Sequence, residues 1–543
     1  MGMPPPIHFR PHGGAGEGNE PGHLLTKDQF AIVPTGRYRD KEVPRFTQPT
    51  EIGSFSYTEQ RQFVMDDSQL KYYYPPDLSQ NHNLSAKYEE YITRASVDEH
   101  IDALLDALIG IKDREEKSSQ ESSPVVEKGH EPQSSDRDTI AVESSSTPSH
   151  SEATKNPSAP SSTKADFICY RGILTKIMCT PYEFKADWEL RATRFNGTIY
   201  IEENFKEEKV SKSHGDTERS KLMSYWGYRF ETISCLSKPV SALRQRSKSE
   251  SDRKRWKGDV VDQRTKDETN TNEDARVDED GKDSVLAGPM LSSEGEILGN
   301  SSVPDEINRL KRPLESDGPT AADSGSDFGA KAVNSTGDND TEIDPEDPEL
   351  IERLDGIVNT NIQYCTVVKT KIGRHSIVMG AEVDCITEPK KPGVNPVKNY
   401  VELKTTKLNT RQRSYPIHSM KLLKFWAQSF LVGIPMIVVG CRDDDGNVTK
   451  IEQLETNQIP RMVRTRHDEW QWSVCVTFLD NVLTFLQDRI ADDDPTKTYL
   501  IRKGIMSDMV EVIPEPPGRA FLTDRFVGRW SEDGRTTLSR GSN

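Results

Sequence analysis

The chain has no cysteine framework. Its seven cysteines, Cys169, Cys179, Cys235, Cys365, Cys385, Cys441 and Cys475, are odd in number and form no Cys-x-x-Cys pair, which disfavours a disulfide scaffold or a zinc knuckle and points to a reducing compartment. Apolar residues are scarce too, at 33%, so part of the 543-residue chain is expected to stay disordered. No apolar run reaches the ~20 residues that cross a bilayer. The longest, Ala427 to Cys441, is interrupted by Gln428, Ser429 and Pro435, and the opening Met-Gly-Met-Pro-Pro-Pro lacks the apolar core of a signal peptide. Neither export nor a membrane partner is expected. Excess positive charge is also missing: a balance of -17 argues against a protein that coats nucleic acid non-specifically. Residues 241–350 hold 15 Lys and Arg against 27 Asp and Glu, so the remainder is nearly neutral and can still contain a basic groove.

Composition divides the chain. Residues 1–25 are rich in Gly and Pro and read as a loose tail. Residues 26–117 read as ordered, with an amphipathic helix over Val97–Ile111 that places Ile101, Leu104, Leu105 and Leu108 on one face. A Ser-rich insertion is expected over 118–163, where too little apolar surface exists to offset chain entropy. Order returns over 164–240, with strand alternation in Arg194 to Glu202 and aromatics at Tyr225, Trp226, Tyr228 and Phe230. The acidic insertion, 241–350, opens with the basic run Arg244, Arg246, Lys248, Arg253, Lys254, Arg255 and Lys257, either a solvated cluster or a nuclear-import signal. Residues 351–530 read as a core, with strands over Ser376–Ile386, Tyr400–Thr405 and Met436–Val439, and helices over Lys421–Val432 and Val474–Ile490. A second tail spans 531–543. Strands mixed with helices give an α+β class, a mixed sheet with flanking helices in one domain that carries two long insertions.

The chemistry concentrates in two short segments. In Gly380-Ala-Glu382-Val-Asp384-Cys385 the two carboxylates are two apart, which on one strand puts them on one face. The same spacing in Tyr400-Val-Glu402-Leu-Lys404-Thr pairs Glu402 with Lys404. The Pro- and Gly-containing stretch between them can turn the chain so that the two strands lie side by side. Three carboxylates and an ammonium could then share a divalent ion and a phosphate: hard oxygens suit Mg²⁺ or Mn²⁺, and the lysine can stabilise developing negative charge. Glu-x-Lys alone is weak, because alternating charges are common on solvated strands. Preceded by an Asp, it is the signature of a nuclease superfamily.

Three further segments leave alternatives open. Glu231, ending Trp226-Gly-Tyr-Arg-Phe-Glu, is either a surface acid on a helix or another metal ligand. Lys421, Lys424 and Gln428 share a helical stripe that either grips phosphate or faces solvent. Arg171, in the apolar Tyr170-Arg-Gly172 segment, needs a partner, either a buried carboxylate or a bound phosphate.

Together these segments resemble the DXO-like decapping nuclease family. The resemblance runs in order through Glu51-Ile-Gly-Ser-Phe-Ser with Gln60-Arg61-Gln, Tyr170 to Lys176 with Thr180-Pro-Tyr-Glu, Gly227 to Glu231, Val358 to Cys365, Gly380 to Asp384, Tyr400 to Thr405 and Lys421 to Pro435. It implies metal-dependent hydrolysis at RNA 5′ ends: pyrophosphate release from triphosphate ends and removal of incompletely methylated and NAD caps. It also implies a nuclear location and stimulation of a partner 5′-to-3′ exoribonuclease, the alternative being a non-catalytic stabilising partner. By the same resemblance Glu231, Asp384, Glu402 and the Leu403 carbonyl ligate metal, and Glu382 touches both metal and substrate. Lys404 and Gln428 hold the reacting phosphate, while Arg61, Glu99, Tyr170, Arg171, Gly172 and Cys365 line the RNA 5′ end. Tyr170 departs from the Trp found in relatives, keeping an aromatic face while adding a hydroxyl.

Overall fold

The fold grows from strands that are apolar on both faces. In the computed structural model, residues 26–33, 35–39, 41–121, 162–205, 218–246, 343–407, 419–463 and 470–539 are described; most of both expected insertions and residues 1–25 lie outside them, whereas the expected tail over 531–543 is helical as far as Ser539, in the helix Asp524–Ser539. The larger sheet has the spatial order β1 (Gln29–Ala31), β16 (Met509–Pro514), β15 (Asp494–Lys503), β6 (Trp188–Phe195), β7 (Thr198–Glu203), β5 (Phe167–Tyr170), β10 (His375–Glu382), β9 (Gln363–Ile372), β2 (Thr50–Tyr57) and β3 (Phe63–Val64). The smaller sheet runs β14 (Val448–Glu455), β13 (Met436–Arg442), β12 (Tyr400–Lys407), β11 (Cys385–Ile386), β4 (Tyr72–Tyr73) and β8 (Cys235–Leu236).

Strand β10 shows why the layers form. Its alternate residues Ile377, Met379 and Ala381 enter one core, beside helix α2 (Arg171–Cys179), while Val378 enters another with Leu104, Leu105 and Leu108 of helix α1 (Asp102–Glu121). A strand covered on both faces reads as a continuous apolar run. In the smaller sheet Val401 and Leu403 of β12 pack on Trp226 and Phe230 of helix α3 (Glu218–Ile233), and Tyr400 packs in the core that holds helix α4 (Ser419–Val432) and helix α5 (Trp472–Arg489). Among the described residues no helix is long and apolar enough to cross a membrane.

Three local expectations change. The helix expected over Val97–Ile111 begins at Asp102 instead, because His100 sits at φ 47, a left-handed conformation that a right-handed helix cannot contain. It continues through Ser118–Glu121, beyond the expected edge of the Ser-rich insertion, with Asp113 and Glu116 bonded to Arg529 from the C-terminal helix. Arg194–Glu202 is a hairpin rather than one strand: Asn196 at φ 52 and Gly197 at φ 78 turn β6 into β7, the Asn-Gly turn whose backbone twist suits paired strands. Likewise Ser376–Ile386 is not continuous. Strand β10 ends at Glu382 in the larger sheet and β11 begins at Cys385 in the smaller, so the chain changes sheets across Val383-Asp384, where the Val383 N–H donates to the Tyr364 carbonyl at 3.0 Å.

Candidate active site where the chain changes sheets

Strand register places the functional side chains. Parallel pairing sets Gly380 against Tyr170, which brings the start of α2 to the end of β10, and antiparallel pairing sets Glu382 against Cys365. A Cβ at Gly380 would lie 2.8 Å from the Tyr170 ring, so only glycine lets the two strands hold that aromatic face between them. Antiparallel pairing of Cys385 with Val401 then brings Asp384 beside Glu402. The carboxylates therefore meet, though through the sheet change and not along one strand face. The segment adjacent to β12 is the two-residue β11, while Glu382 stays with the larger sheet.

Glu402 is the anchor. It is 1% exposed, and its two oxygens accept from Arg171 Nη1 at 2.9 Å and Lys404 Nζ at 2.5 Å. The partner that Arg171 requires is thus a buried carboxylate. Burial alone would push the Glu402 carboxyl up; Arg171 and then Lys404 outweigh it and hold the group down at about 2. Asp384 accepts from the Leu403 N–H at 2.6 Å, yet burial and the neighbouring Glu402 raise it to about 7. Glu231, carried by α3 next to the core residue Phe230, rises well above the carboxylate range through burial, Asp384 and Glu382. Lys404 stays charged: burial opposes its charge, and Glu402 and Asp384 overcome it.

Among the described residues, Arg171 and Lys404 thus pair directly with one of four neighbouring carboxylates, Glu402. Glu231, Glu382, Asp384, Glu402 and the Leu403 carbonyl are hard oxygen donors, and burial together with neighbouring carboxylates raises Asp384 and Glu231, so donor type and surroundings both fit a divalent ion. Among the described residues no three His, Cys, Asp or Glu side chains are grouped closely enough to hold a metal ion as they stand. Glu402 is instead engaged by Arg171 and Lys404, so it must exchange one of these contacts to ligate an ion.

Beside the carboxylates opens a cleft of about 320 Å³. Six of the residues expected at the RNA 5′ end line it: Arg61, Glu99, Tyr170, Gly172, Cys365 and Glu382. Arg61, itself at φ 61, makes a fork onto Glu99 at 2.9 and 2.7 Å, reaches Gln363 at 2.6 Å and lies 3.6 Å over the Tyr57 ring. It stiffens that wall. Arg171 and Lys404 reach the site through Glu402 and are not among the cleft-lining residues; Gln428, half-buried on α4, is not among them either. Of the stripe shared with Gln428, Lys424 pairs with Glu183 at 2.7 Å.

The other end of the cleft escaped sequence reasoning. There His100 Nδ1 lies 2.9 Å from Glu202, which Arg191 also contacts at 3.0 Å, and burial still lifts the Glu202 carboxyl to about 7. The missed signal was Asn196-Gly197: a hairpin there pairs Arg191 with Glu202 directly.

The model of the RAI1 like PD-(D/E)XK nuclease family matches residues 47–265 and 332–527. The chain is 28% identical to the decapping nuclease RAI1 of Emericella nidulans, over 90% of this chain and 94% of that protein. It is 25% identical to the human decapping and exoribonuclease protein, over 90% and 87%. Among solved structures, Candida albicans Rai1 in complex with pU5-Mn2+ superposes with a TM-score of 0.57 at 18% identity, covering 93% of this chain and 98% of that one. Scheffersomyces stipitis Rai1 in complex with (3′-NADP)+ and calcium ion gives 0.58 at 19%, covering 94% and 99%.

Proposed function

Because the chain belongs to the RAI1 like PD-(D/E)XK nuclease family, we propose that it is a metal-dependent decapping hydrolase of RNA 5′ ends. The observation that carries this reading is Glu402, buried between Arg171 and Lys404, with Asp384 held against the same strand by the Leu403 N–H and Glu382 opening into the cleft. Relatives named as decapping nucleases, and neighbours crystallised with pU5-Mn2+ or with (3′-NADP)+ and calcium, support RNA ends and NAD caps as substrates and a divalent ion as cofactor.

Each residue then has a task. The cleft admits the terminal group of a single strand: Tyr170 offers an aromatic face, and Arg61, Glu99, Gly172 and Cys365 form its wall. Arg171 keeps Glu402 ionised inside the protein. Lys404, held charged by Glu402 and Asp384, presents an ammonium to the reacting phosphate, and Gln428 adds an amide from α4. Glu231, Glu382, Asp384, Glu402 and the Leu403 carbonyl would hold Mg²⁺ or Mn²⁺, which when bound would supply charge neutralisation and a more acidic water. The basic run after Arg244 and the family resemblance support a nuclear location and a 5′-to-3′ exoribonuclease partner.

Product analysis tests this. The protein and Mn²⁺ are incubated with triphosphate, unmethylated-cap and NAD-cap RNAs, in parallel with Glu402→Ala and Asp384→Ala. The expected result is pyrophosphate or intact cap released by wild type alone. Release by either variant overturns the site; no release by wild type, together with unchanged stimulation of an exoribonuclease by all three proteins, identifies a stabilising partner instead.

A further inference from the structure

One residue touches both segments that carry the paired acids. Val383 and Asp384 belong to neither sheet, so no strand ladder sets where the Asp384 carboxylate stands, and the like charges of Glu402 and Glu382 push against it. Tyr364, on β9, meets the crossing with its backbone: its carbonyl accepts the Val383 N–H at 3.0 Å. Its side chain meets the other segment. The Tyr364 hydroxyl lies 3.1 Å from the hydroxyl of Tyr400, which stands two residues before Glu402 on β12 and projects from the same face. The Leu403 N–H then returns from β12 to Asp384 at 2.6 Å. These hydrogen bonds, with the short stretches 383–384 and 400–403, form a closed ring, and Asp384 and Glu402 both lie on it.

The ring is braced from outside. The Tyr400 hydroxyl donates to Glu51 on β2, which Thr366 and Lys390 also reach at 2.7 Å each. The Tyr364 proton is shared between Tyr400 and Asp67, the latter at 3.0 Å, and Lys390 ties Asp67 to Glu51. Both tyrosines are buried, and two phenylalanines would fill almost the same space. What the hydroxyls add is direction, because a buried and fully partnered network holds a distance that apolar contact leaves loose. We propose that Tyr364 and Tyr400 are positioning residues, whose hydroxyl pair sets the spacing across the sheet change at which Asp384 and Glu402 take one divalent ion. Glu402 must give up one of its cations to ligate that ion, and the ring keeps the backbone of both segments still while the side chain turns. This assignment rests on the metal-dependent reading above and deepens it by naming what holds the two acids in register.

A mutant cycle with two readouts tests it. Tyr364→Phe, Tyr400→Phe and the double variant are compared with wild type in Mn²⁺ affinity, by calorimetry, and in kcat and KM on 5′-triphosphorylated RNA at saturating Mn²⁺. Urea unfolding reports the stability of each, and Gly197→Ala, on the β6–β7 hairpin, serves as a control of lowered stability away from the site. Either single variant is expected to weaken Mn²⁺ binding about tenfold and to lower kcat about tenfold, with KM within about twofold of wild type. The double variant should lose no more than either single one, because each change opens the same ring; Gly197→Ala should leave Mn²⁺ affinity, kcat and KM unchanged. Tyrosine variants that lose stability but keep Mn²⁺ affinity and kcat overturn the proposal, since the hydroxyls then only support the fold. Effects that multiply in the double variant overturn it as well, as does a rise in KM alone. If wild type releases nothing from RNA, the decapping reading fails and the Mn²⁺ titrations decide the role of the tyrosines without turnover; a wild type that binds no Mn²⁺ overturns both.

Discussion

Replacing Arg171 by Met keeps the side chain's length and removes one of the two cations on Glu402. The structure sets the size and the pH signature of the loss. Glu402 sits at about 2, down from an ordinary 4.5, a shift that corresponds to about 3 kcal/mol of folding free energy. Arg171 is the first-named cause of that lowering and Lys404 the second, so the arginine's share is about 2 kcal/mol, in the range for breaking one side of a buried pair. The sign follows from linkage. A carboxyl depressed in the folded state contributes stability above 4.5 and loses it as pH falls toward 2. Urea unfolding at pH 7, 5 and 3.5 in a chelator should therefore show Arg171→Met about 2 kcal/mol less stable at the two higher pH values. The difference should shrink by roughly a fifth at pH 3.5, where the carboxyl of the folded variant, no longer held down by Arg171, is partly protonated while that of wild type is still ionised. A loss that is equal at pH 5 and pH 3.5 would show that Arg171 acts by packing alone, and no loss would refute the pair.

Other perturbations have equally defined outcomes. Asp384 has the opposite sign: raised to about 7 from 3.8, it contributes fully below 3.8, and its contribution is lost as pH rises through 7. Asp384→Asn, which keeps an acceptor for the Leu403 N–H, should gain about 3 kcal/mol on wild type between pH 5 and pH 8 in chelator; parallel melting curves would contradict this. Gly197→Ala meets no atom within 4 Å, so only its φ of 78 opposes the change, and urea unfolding should show a loss of about 1 kcal/mol. Lys390 bonds Glu51 at 2.7 Å and Asp67 at 2.8 Å, tying the loop between β11 and β12 to β2. Lys390→Met should cost about 3 kcal/mol in the same assay and Lys390→Arg far less; equal losses would argue against the ion pairs.

The strand carrying Glu402 and Lys404 was readable because its alternation is local: Val401 and Leu403 pack inward on α3 while the two charged residues share the other face. Glu382 and Asp384 carry the same spacing, but there it misleads. What separates them is a change of sheet, fixed by Tyr364 on β9 and Val401 on β12, and neither partner is near in sequence. The same holds for Arg171, whose apolar surroundings announce the need for a partner but whose carboxylate lies 231 residues away. The late start of α1 depends on one residue, His100, in a conformation that propensity does not foresee. Gly197 differs in kind. The Asn-Gly turn was present in the sequence, and counting that glycine as one beat of an alternation concealed it.

The arrangement has an electrostatic logic that joins the fold to the reaction. Glu231 arrives on α3, Glu382 on the larger sheet, Asp384 at the crossing and Glu402 on the smaller sheet, so four separate elements bring carboxylates near enough to act on one another's charge. Among the described residues only Arg171 and Lys404 form ion pairs with them, and both choose Glu402. The imbalance therefore falls on Asp384 and Glu231, whose protons are held more tightly than those of ordinary carboxyls. A divalent cation entering there would displace these protons, so its apparent affinity should rise with pH through the range in which Asp384 ionises, near 7. Titrating Mn²⁺ into the protein at pH 6, 7 and 8 by calorimetry measures that dependence together with the protons released. An affinity independent of pH would place the ion away from Asp384 and Glu231, leaving the buried acids without the role the rest of the site gives them.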